Sequence, residues 1–225
     1  MSRPLVSAIM PVFNADAFLE AALESLLAQE YEPYEVVVCD DGSTDRTAEI
    51  LGAYPAVRVV RQENSGPSAA RNAAIAASHG DFVAFFDADD LWPSNRLSLQ
   101  ASYLLDHPEI GCVLGRQEWI EPPPGLPRDS VFGDLGGIPL TGAMFRRSAL
   151  AEVGGFDPSF RRAEDRDLLV RVRERGIGIG VLPEVILYRR FHGGNLITET
   201  ACAHPLLRSL RQKLERERAA QPGES

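Results

Sequence analysis

Three carboxylates stand in four positions at Asp87, Asp89 and Asp90, directly after the apolar run Phe82, Val83, Ala84, Phe85, Phe86. A buried strand that runs into so much negative charge needs a reason. The Asp-x-Asp spacing of Asp87 and Asp89 suits a hard divalent cation, since carboxylate oxygens bind Mg2+ or Mn2+ and share such ions with substrate phosphates. The plain alternative is an acidic loop that caps the next helix. Asp40 and Asp41 end a second apolar run, VVVC. There a turn at Gly42 competes with acceptors for a nucleobase imide or ribose hydroxyls. Arg71 suits either a diphosphate or a salt bridge. Glu164 and Asp165 open a helical stretch, where carboxylates favour the helix dipole in any protein. His192, before Gly193 and Gly194, reads as a loop histidine or a ligand.

The elements between these residues must bring them together. Residues 5–10 (LVSAIM) read as a short strand. In 15–30 the residues Phe18, Leu19, Ala22, Leu23, Leu26 and Leu27 recur at three and four, the period of an amphipathic helix. Residues 34–39, 57–60 and 82–86 read as strands. Residues 44–53 read as a helix capped from Ser43, Thr44 and Asp45, and 67–78 and 95–105 as two more helices. Such alternation predicts βαβ units, hence an α/β fold with a Rossmann-like, mostly parallel sheet and helices on both faces. Ligands of such sheets bind beyond the carboxyl ends of the strands. Residues 11–14, 40–43, 64–66 and 87–90 all fall on that edge.

Beyond residue 109 the alternation breaks. EPPPGLP at 121–127 predicts a surface loop, and the glycine-rich 133–142 a segment that is mobile or packed against a ligand. A helix is expected over 164–176 and a late strand over 185–191. Residues 204–218 predict a helix with Leu206, Leu207, Leu210 and Leu214 on one side and five basic and two acidic side chains elsewhere. Its leucines would pack on the domain or on a second copy in a homodimer. The competing reading is peripheral contact with an anionic membrane, which four leucines without an aromatic anchor favour less.

The whole chain of 225 residues suits one domain with a small extension. With 23 Lys and Arg against 32 Asp and Glu, its net charge is −9. That balance excludes the basic face of a nucleic-acid binder and means that an anionic substrate must be met locally. Cys39, Cys112 and Cys202 are scattered, which predicts buried thiols in a reducing compartment. No signal-peptide pattern opens the sequence, and no stretch nears the ~20 apolar residues of a membrane span. The expectation is a cytoplasmic protein, at most peripheral at the inner face of the membrane.

Six stretches, in order from Val6 to about Asn195, carry a family resemblance: VSAIMPVFNADAFLEAALESLLAQ, VVVCDDGSTDRT, NSGPSAARNAAI, GDFVAFFDADDLWPSNRL, GGFDPSFRRAEDRDLLVRV and YRRFHGGN. Together the chain resembles glycosyltransferase family 2, inverting enzymes with the GT-A fold. The resemblance implies one GT-A catalytic domain over 1–200, with a nucleotide-binding half (1–108) and an acceptor and catalytic-base half (109–200), and a helical extension over 201–225. It implies a sugar donor linked to UDP, GDP or dTDP, a bound Mn2+ or Mg2+, and a hydroxyl acceptor on a glycan, a lipid-linked glycan or a small molecule. By the same resemblance, Pro11, Phe13 and Asp41 hold the base and ribose, with Asp41 on the base. Arg71, Asp87, Ala88 and Glu164 complete the donor site. Asp89 is implied as the principal metal ligand, His192 as a second ligand found in some members, and Asp165 as the catalytic base. The Gln-x-x-Arg-Trp of processive synthases is missing and YRRFHGGN stands in its place, which implies a single addition.

This gives the acidic loop a purpose. A cation between aspartates and a diphosphate turns repulsion into coordination and stabilises the leaving group. An ionised Asp165 on the opposite face would take the acceptor's proton, and one displacement would invert the anomeric centre. A dinucleotide oxidoreductase would carry Gly-x-Gly-x-x-Gly after the first strand, where Pro11, Val12, Phe13 and Asn14 stand instead. A sugar-nucleotide pyrophosphorylase would open on a glycine-rich, Arg-containing loop, also missing. A non-catalytic binder of the same fold would be expected to lack Asp89 or Asp165, and both are present.

Overall fold

A computed structural model of the chain describes residues 3–122, 128–129, 140–160 and 164–192. The first half alternates as expected: β1 (Val6–Val12), α1 (Leu19–Leu27), β2 (Tyr34–Asp40), α2 (Thr47–Gly52), β3 (Val57–Arg61), α3 (Pro67–Ala76), β4 (Phe82–Phe85) and α4 (Arg96–Asp106). The second half adds β5 (Ile110–Glu121), β6 (Met144–Arg146), α5 (Arg147–Val153), α6 (Glu164–Glu174) and β7 (Gly178–Arg190). One seven-stranded sheet runs in the order β3-β2-β1-β4-β6-β5-β7. β1 pairs in parallel with β2 and β4, and β2 with β3. β6 runs antiparallel to both β4 and β5, while β5 and β7 are parallel.

Both faces of this sheet are covered, so its strands need not alternate polar and apolar residues. Val6, Ala8 and Met10 pack with Val36, Val38, Phe82 and Ala84 against Leu19, Leu23, Leu26 and Leu97 of α1 and α4. Ile9, Val37, Cys39, Val83 and Phe85 face the other way, onto Ala70 and Ala74 of α3 and Leu168 and Val172 of α6. Burying each large aliphatic chain of this set is worth roughly 1.5–3 kcal/mol. Cys39 and Cys112 are buried free thiols, and burial pushes both above the ordinary thiol range, Cys39 to about 11.

Some boundaries differ from the sequence reading, for physical reasons. α1 begins at Leu19 rather than at residue 15: residues 16–18 form a turn in which Phe18 N–H and Leu19 N–H both donate to Ala15 O, while Ala15 N–H is held by Thr47 Oγ1 and Asp16 N–H by Asp45 Oδ2. α2 starts at Thr47, whose N–H donates to Asp45 Oδ1, while the Ser43 hydroxyl and the Thr44 N–H turn to Asn14. β7 begins at Gly178, seven residues before the expected 185, and β5, β6 and α5 were not foreseen as elements. Leu140–Gly142, the end of the glycine-rich stretch, forms one buried 3-10 turn. The expected helix over 204–218, residues 133–139 and all but two residues of the expected loop over 121–127 lie outside the described residues. No helix among the described residues is long and apolar enough to cross a membrane.

Candidate active site

The carboxyl ends of β1, β2 and β4, the start of α6 and the end of β7 meet at one place. β1 delivers Pro11, half-buried and paired in register with Cys39, and then Phe13, whose ring is 50% exposed. An aromatic left that open beside a polar edge is suited to stack on a planar ligand. The chain then turns through Asn14 at φ 49°, held by Thr44 N–H donating to its side-chain oxygen at 2.8 Å.

Asp41, beyond β2, is built in from all sides. Its Oδ1 accepts from Ser65 N–H at 2.8 Å and Gln62 Nε2 at 2.7 Å, and its Oδ2 from Gly66 N–H at 2.8 Å. The group is 4% exposed. Three donors leave this carboxylate about one of its roughly four acceptor sites. Its neighbour Gly42 sits at φ +81°, with Asn64 N 3.1 Å from where a Cβ would stand, so glycine is required for this approach.

The acidic loop after β4 is partnered differently. Asp87 Oδ1 accepts from Arg71 at 2.8 Å. Asp90 is buried: Arg190 N–H donates to its Oδ1 at 3.1 Å, and Arg189 Nε lies 3.8 Å from its Oδ2. Asp89 Oδ2 lies 3.0 Å from His192 Nε2. Ala88 is buried and packs in the core. One carboxylate oxygen from each of Asp87, Asp89 and Asp90 lies within 4.8 Å of the others. Burial, then the charge of Asp87, holds the Asp89 carboxyl above the usual range, although His192 opposes this. Burial also raises Asp90 well above that range. A cation would relieve this crowding, and oxygen donors suit Mg2+ and Mn2+. The residues therefore fit a divalent ion, and His192, the partner of Asp89, offers an imidazole nitrogen beside them.

His192 reaches Asp89 because the end of β7 is stitched to the loop. Leu91 and Tyr188 exchange two backbone hydrogen bonds of 2.9 Å, and Arg190 Nε donates to the Asp89 carbonyl at 3.2 Å. Phe18 stacks on the other side, its ring 4.6 Å from the His192 ring and 5.0 Å from the Arg190 guanidinium.

Arg71 occupies the centre. It is 5% exposed on α3 and forks between Asp87 and Glu164, with NH1 donating to Glu164 Oε1 at 2.6 Å. Burial alone would lower the guanidinium, but the two carboxylates overcome it and hold it above its ordinary value. Beside Glu164, Asp165 is partly buried and accepts from Arg166 N–H at 2.8 Å. Burial, reinforced by Glu164, raises its carboxyl above the usual range. Pro11, Phe13, Asp41, Arg71, Asp87, Ala88, Asp89, Glu164, Asp165 and His192 thus lie along one sheet edge. Sequence reasoning gave no role to Asp90, Arg189 or Arg190, although it counted Asp90 in the acidic loop, and it placed residues 64–66 on the ligand edge without seeing that they hold Asp41. Only the acidity of Asp90 and the adjacency of the two arginines to His192 could have signalled them.

The sequence pattern of "Glycosyl transferase family 2" matches residues 7–154. Among curated proteins, the chain is 38% identical over 109 residues to a putative teichuronic acid biosynthesis glycosyltransferase, TuaG, of Bacillus subtilis, covering 46% of this chain and 43% of that one. It is 38% identical over 123 residues to the Escherichia coli UDP-Glc:alpha-D-GlcNAc-diphosphoundecaprenol beta-1,3-glucosyltransferase WfgD, covering 53% of this chain and 48% of that one. The chain spans about half the length of these relatives or less. Among solved structures, S. aureus TarS 1-349 in complex with UDP-GlcNAc superposes with a TM-score of 0.73 at 26% identity, over 84% of this chain and 59% of that one. A mannosyltransferase from Pyrobaculum calidifontis, solved with GDP-Man and Mn2+, shares the fold with a TM-score of 0.67 at 23% identity, over 100% of this chain and 66% of that one. Sheet, site edge and family pattern agree: the fold is GT-A, and the chain belongs to glycosyl transferase family 2.

Proposed function

We propose that this chain transfers a sugar from a nucleotide-diphosphate donor to a hydroxyl acceptor, by one inverting displacement and a single addition, in the synthesis of a polysaccharide or glycoconjugate. The observation that carries this reading is the convergence of the Asp87, Asp89 and Asp90 carboxylates and His192 with the acidic start of α6 at one sheet edge. Similar proteins bind UDP, UDP-GlcNAc or GDP-Man and Mn2+, which supports a donor and an ion of these classes. The division into a nucleotide-binding half over 1–108 and an acceptor half over 109–200 belongs to the same proposal.

Asp89 and His192 would hold Mn2+ or Mg2+, which when bound supplies Lewis-acid stabilisation of the departing diphosphate. Pro11 and the open ring of Phe13 flank the base, and the remaining acceptor site of Asp41 takes an N–H from it. Asp165 draws the proton from the acceptor oxygen as that oxygen attacks the anomeric carbon. Its raised affinity for protons strengthens it as a base once it is ionised.

A panel of UDP-, GDP- and dTDP-sugars with Mn2+, read as thermal shift, tests the donor. Ligand at 100 times its dissociation constant stabilises by about 2.7 kcal/mol. Product analysis by NMR then reads the anomeric configuration. No shift with any donor, or a retained configuration, would overturn the respective part.

A further inference from the structure

We infer that Arg71 is a positioning residue: a buried strut that sets the acidic loop of β4 against the first turn of α6, rather than a ligand of the donor diphosphate. The inference rests on the reading of Asp89 and Asp165 given above, and goes beyond it by assigning how the two are held in register.

The geometry is specific. Both terminal nitrogens of the guanidinium are occupied, one by Asp87 at 2.8 Å and one by Glu164 at 2.6 Å. The Glu164 side chain is 12% exposed and that of Arg71 6%, so solvent screens the pair on the α6 side weakly. The underside of the guanidinium lies 5.5 Å from the Phe156 ring, which leaves little freedom for the fork to swing out. The partners are 16 and 93 residues away in sequence, and each adjoins a residue with assigned chemistry: Asp87 is two before Asp89, and Glu164 is next to Asp165. A planar fork can hold two carboxylates in a fixed relation, whereas a lysine ammonium is a single point that cannot. A diphosphate would meet a buried guanidinium whose charge is already offset by two carboxylates, which costs more than meeting an exposed cation.

The helix also has an independent brace at its other side. Asn72, next to Arg71 on α3, accepts from Phe156 N–H at 3.0 Å and donates to Phe156 O at 2.8 Å. Ser68, one turn earlier, donates to Phe160 O at 2.7 Å. The segment leading toward α6 is therefore fixed to α3 with or without Arg71, and Arg71→Lys is expected to fold. What Arg71 alone adds is the connection onward to Asp87.

Two measurements test this. The first uses the metal-free protein and needs no substrate: amide hydrogen exchange at Asp90 and Leu91, whose N–H groups are bonded to Asp87 O and Tyr188 O. Glu164→Gln, on the far side of the strut, is expected to speed that exchange by about fivefold or more, the low end of a typical coupling. In Arg71→Lys the same Glu164→Gln change should have no further effect. If Glu164→Gln leaves those amides unchanged in the wild-type background, the strut is refuted. The second is kinetic, with UDP-N-acetylglucosamine, UDP-glucose and GDP-mannose as donors. Arg71→Lys should lower kcat at least tenfold while the donor KM stays within about threefold, and combining it with Glu164→Gln should cost no more than the worse single change. A tenfold rise in donor KM with kcat kept would make Arg71 a diphosphate ligand and overturn the inference. A wild-type protein inert toward all three donors would count against the proposed donor range, while the exchange measurement alone would still decide the strut.

Discussion

Two aspartate-bearing loops end β2 and β4, the strands on either side of β1 in the same sheet, and they are held in opposite ways. Asp41 is held by one short segment: two backbone N–H groups and one amide of residues 62–66 converge on it. The loop of Asp87, Asp89 and Asp90 is held by Arg71 of α3 and by Arg189, Arg190 and His192 at the far end of β7, His192 lying 103 residues from Asp89. The first arrangement satisfies its charge within the fold. The second leaves carboxyls whose proton affinity is raised by burial and by each other. The lesson is that Asp41 serves structure first, whereas the second loop carries unrelieved charge that a bound cation would stabilise.

That contrast predicts opposite responses to mutation, taken here from the largest effect down. Asp165→Asn keeps shape and removes the proposed base, so transfer should fall by about 10²–10⁴-fold while nucleotide binding persists. A variant that retained most of its turnover would remove Asp165 from the mechanism. Asp41→Ala should cost about 3 kcal/mol of stability, since it strands the buried Gly66 N–H and frees the 62–66 loop. Chemical denaturation reads this, and an unchanged midpoint would break the comparison. Asp89→Ala should leave the metal-free fold as stable as before or more so, yet weaken Mn2+ binding by about a hundredfold in an electron-resonance titration. The sign follows from linkage: a carboxyl raised in the folded state adds stability below its unfolded value and loses it as pH rises through the folded value. Above its raised folded value an ionised Asp89 is therefore a cost to the metal-free protein, and EDTA should mimic the variant only in binding. His192→Ala is expected to weaken Mn2+ by about tenfold without changing the fold. The smallest effect concerns pH: turnover should fall on the acid side through a value above the ordinary aspartate ~3.9, since Asp165 works only when ionised. An acid limb at or below that value would contradict its raised proton affinity.

Much of the first half was legible because its signals are local. Leu19, Leu23 and Leu26 show the helical period, and the runs before Asp40 and Asp87 are short and apolar. The second half was not, because its strands are defined by pairing. β5 mixes Gly115, Arg116, the buried Gln117 and Glu118, and β6 is three residues long. Neither has a period to read. At the site, residue types were visible and partners were not. Nothing near Arg71 in sequence indicates that Glu164, 93 positions on, completes its fork.

The stitch between Leu91 and Tyr188 also bears on the order in which the molecule can be assembled. Chains emerge from the ribosome amino end first, and early segments can fold before later ones exist. β1 to β4, with α1 to α4, need nothing beyond residue 106 for their own pairing. The contacts that put His192 on Asp89 span 103 residues, and that from Arg190 to Asp90 spans 100. Closing loops of that length is slow relative to local pairing. The nascent chain is thus expected to pair β1 to β4 before the acidic loop is closed over, and a chain halted between residues 106 and 188 would carry those strands with an unfinished site.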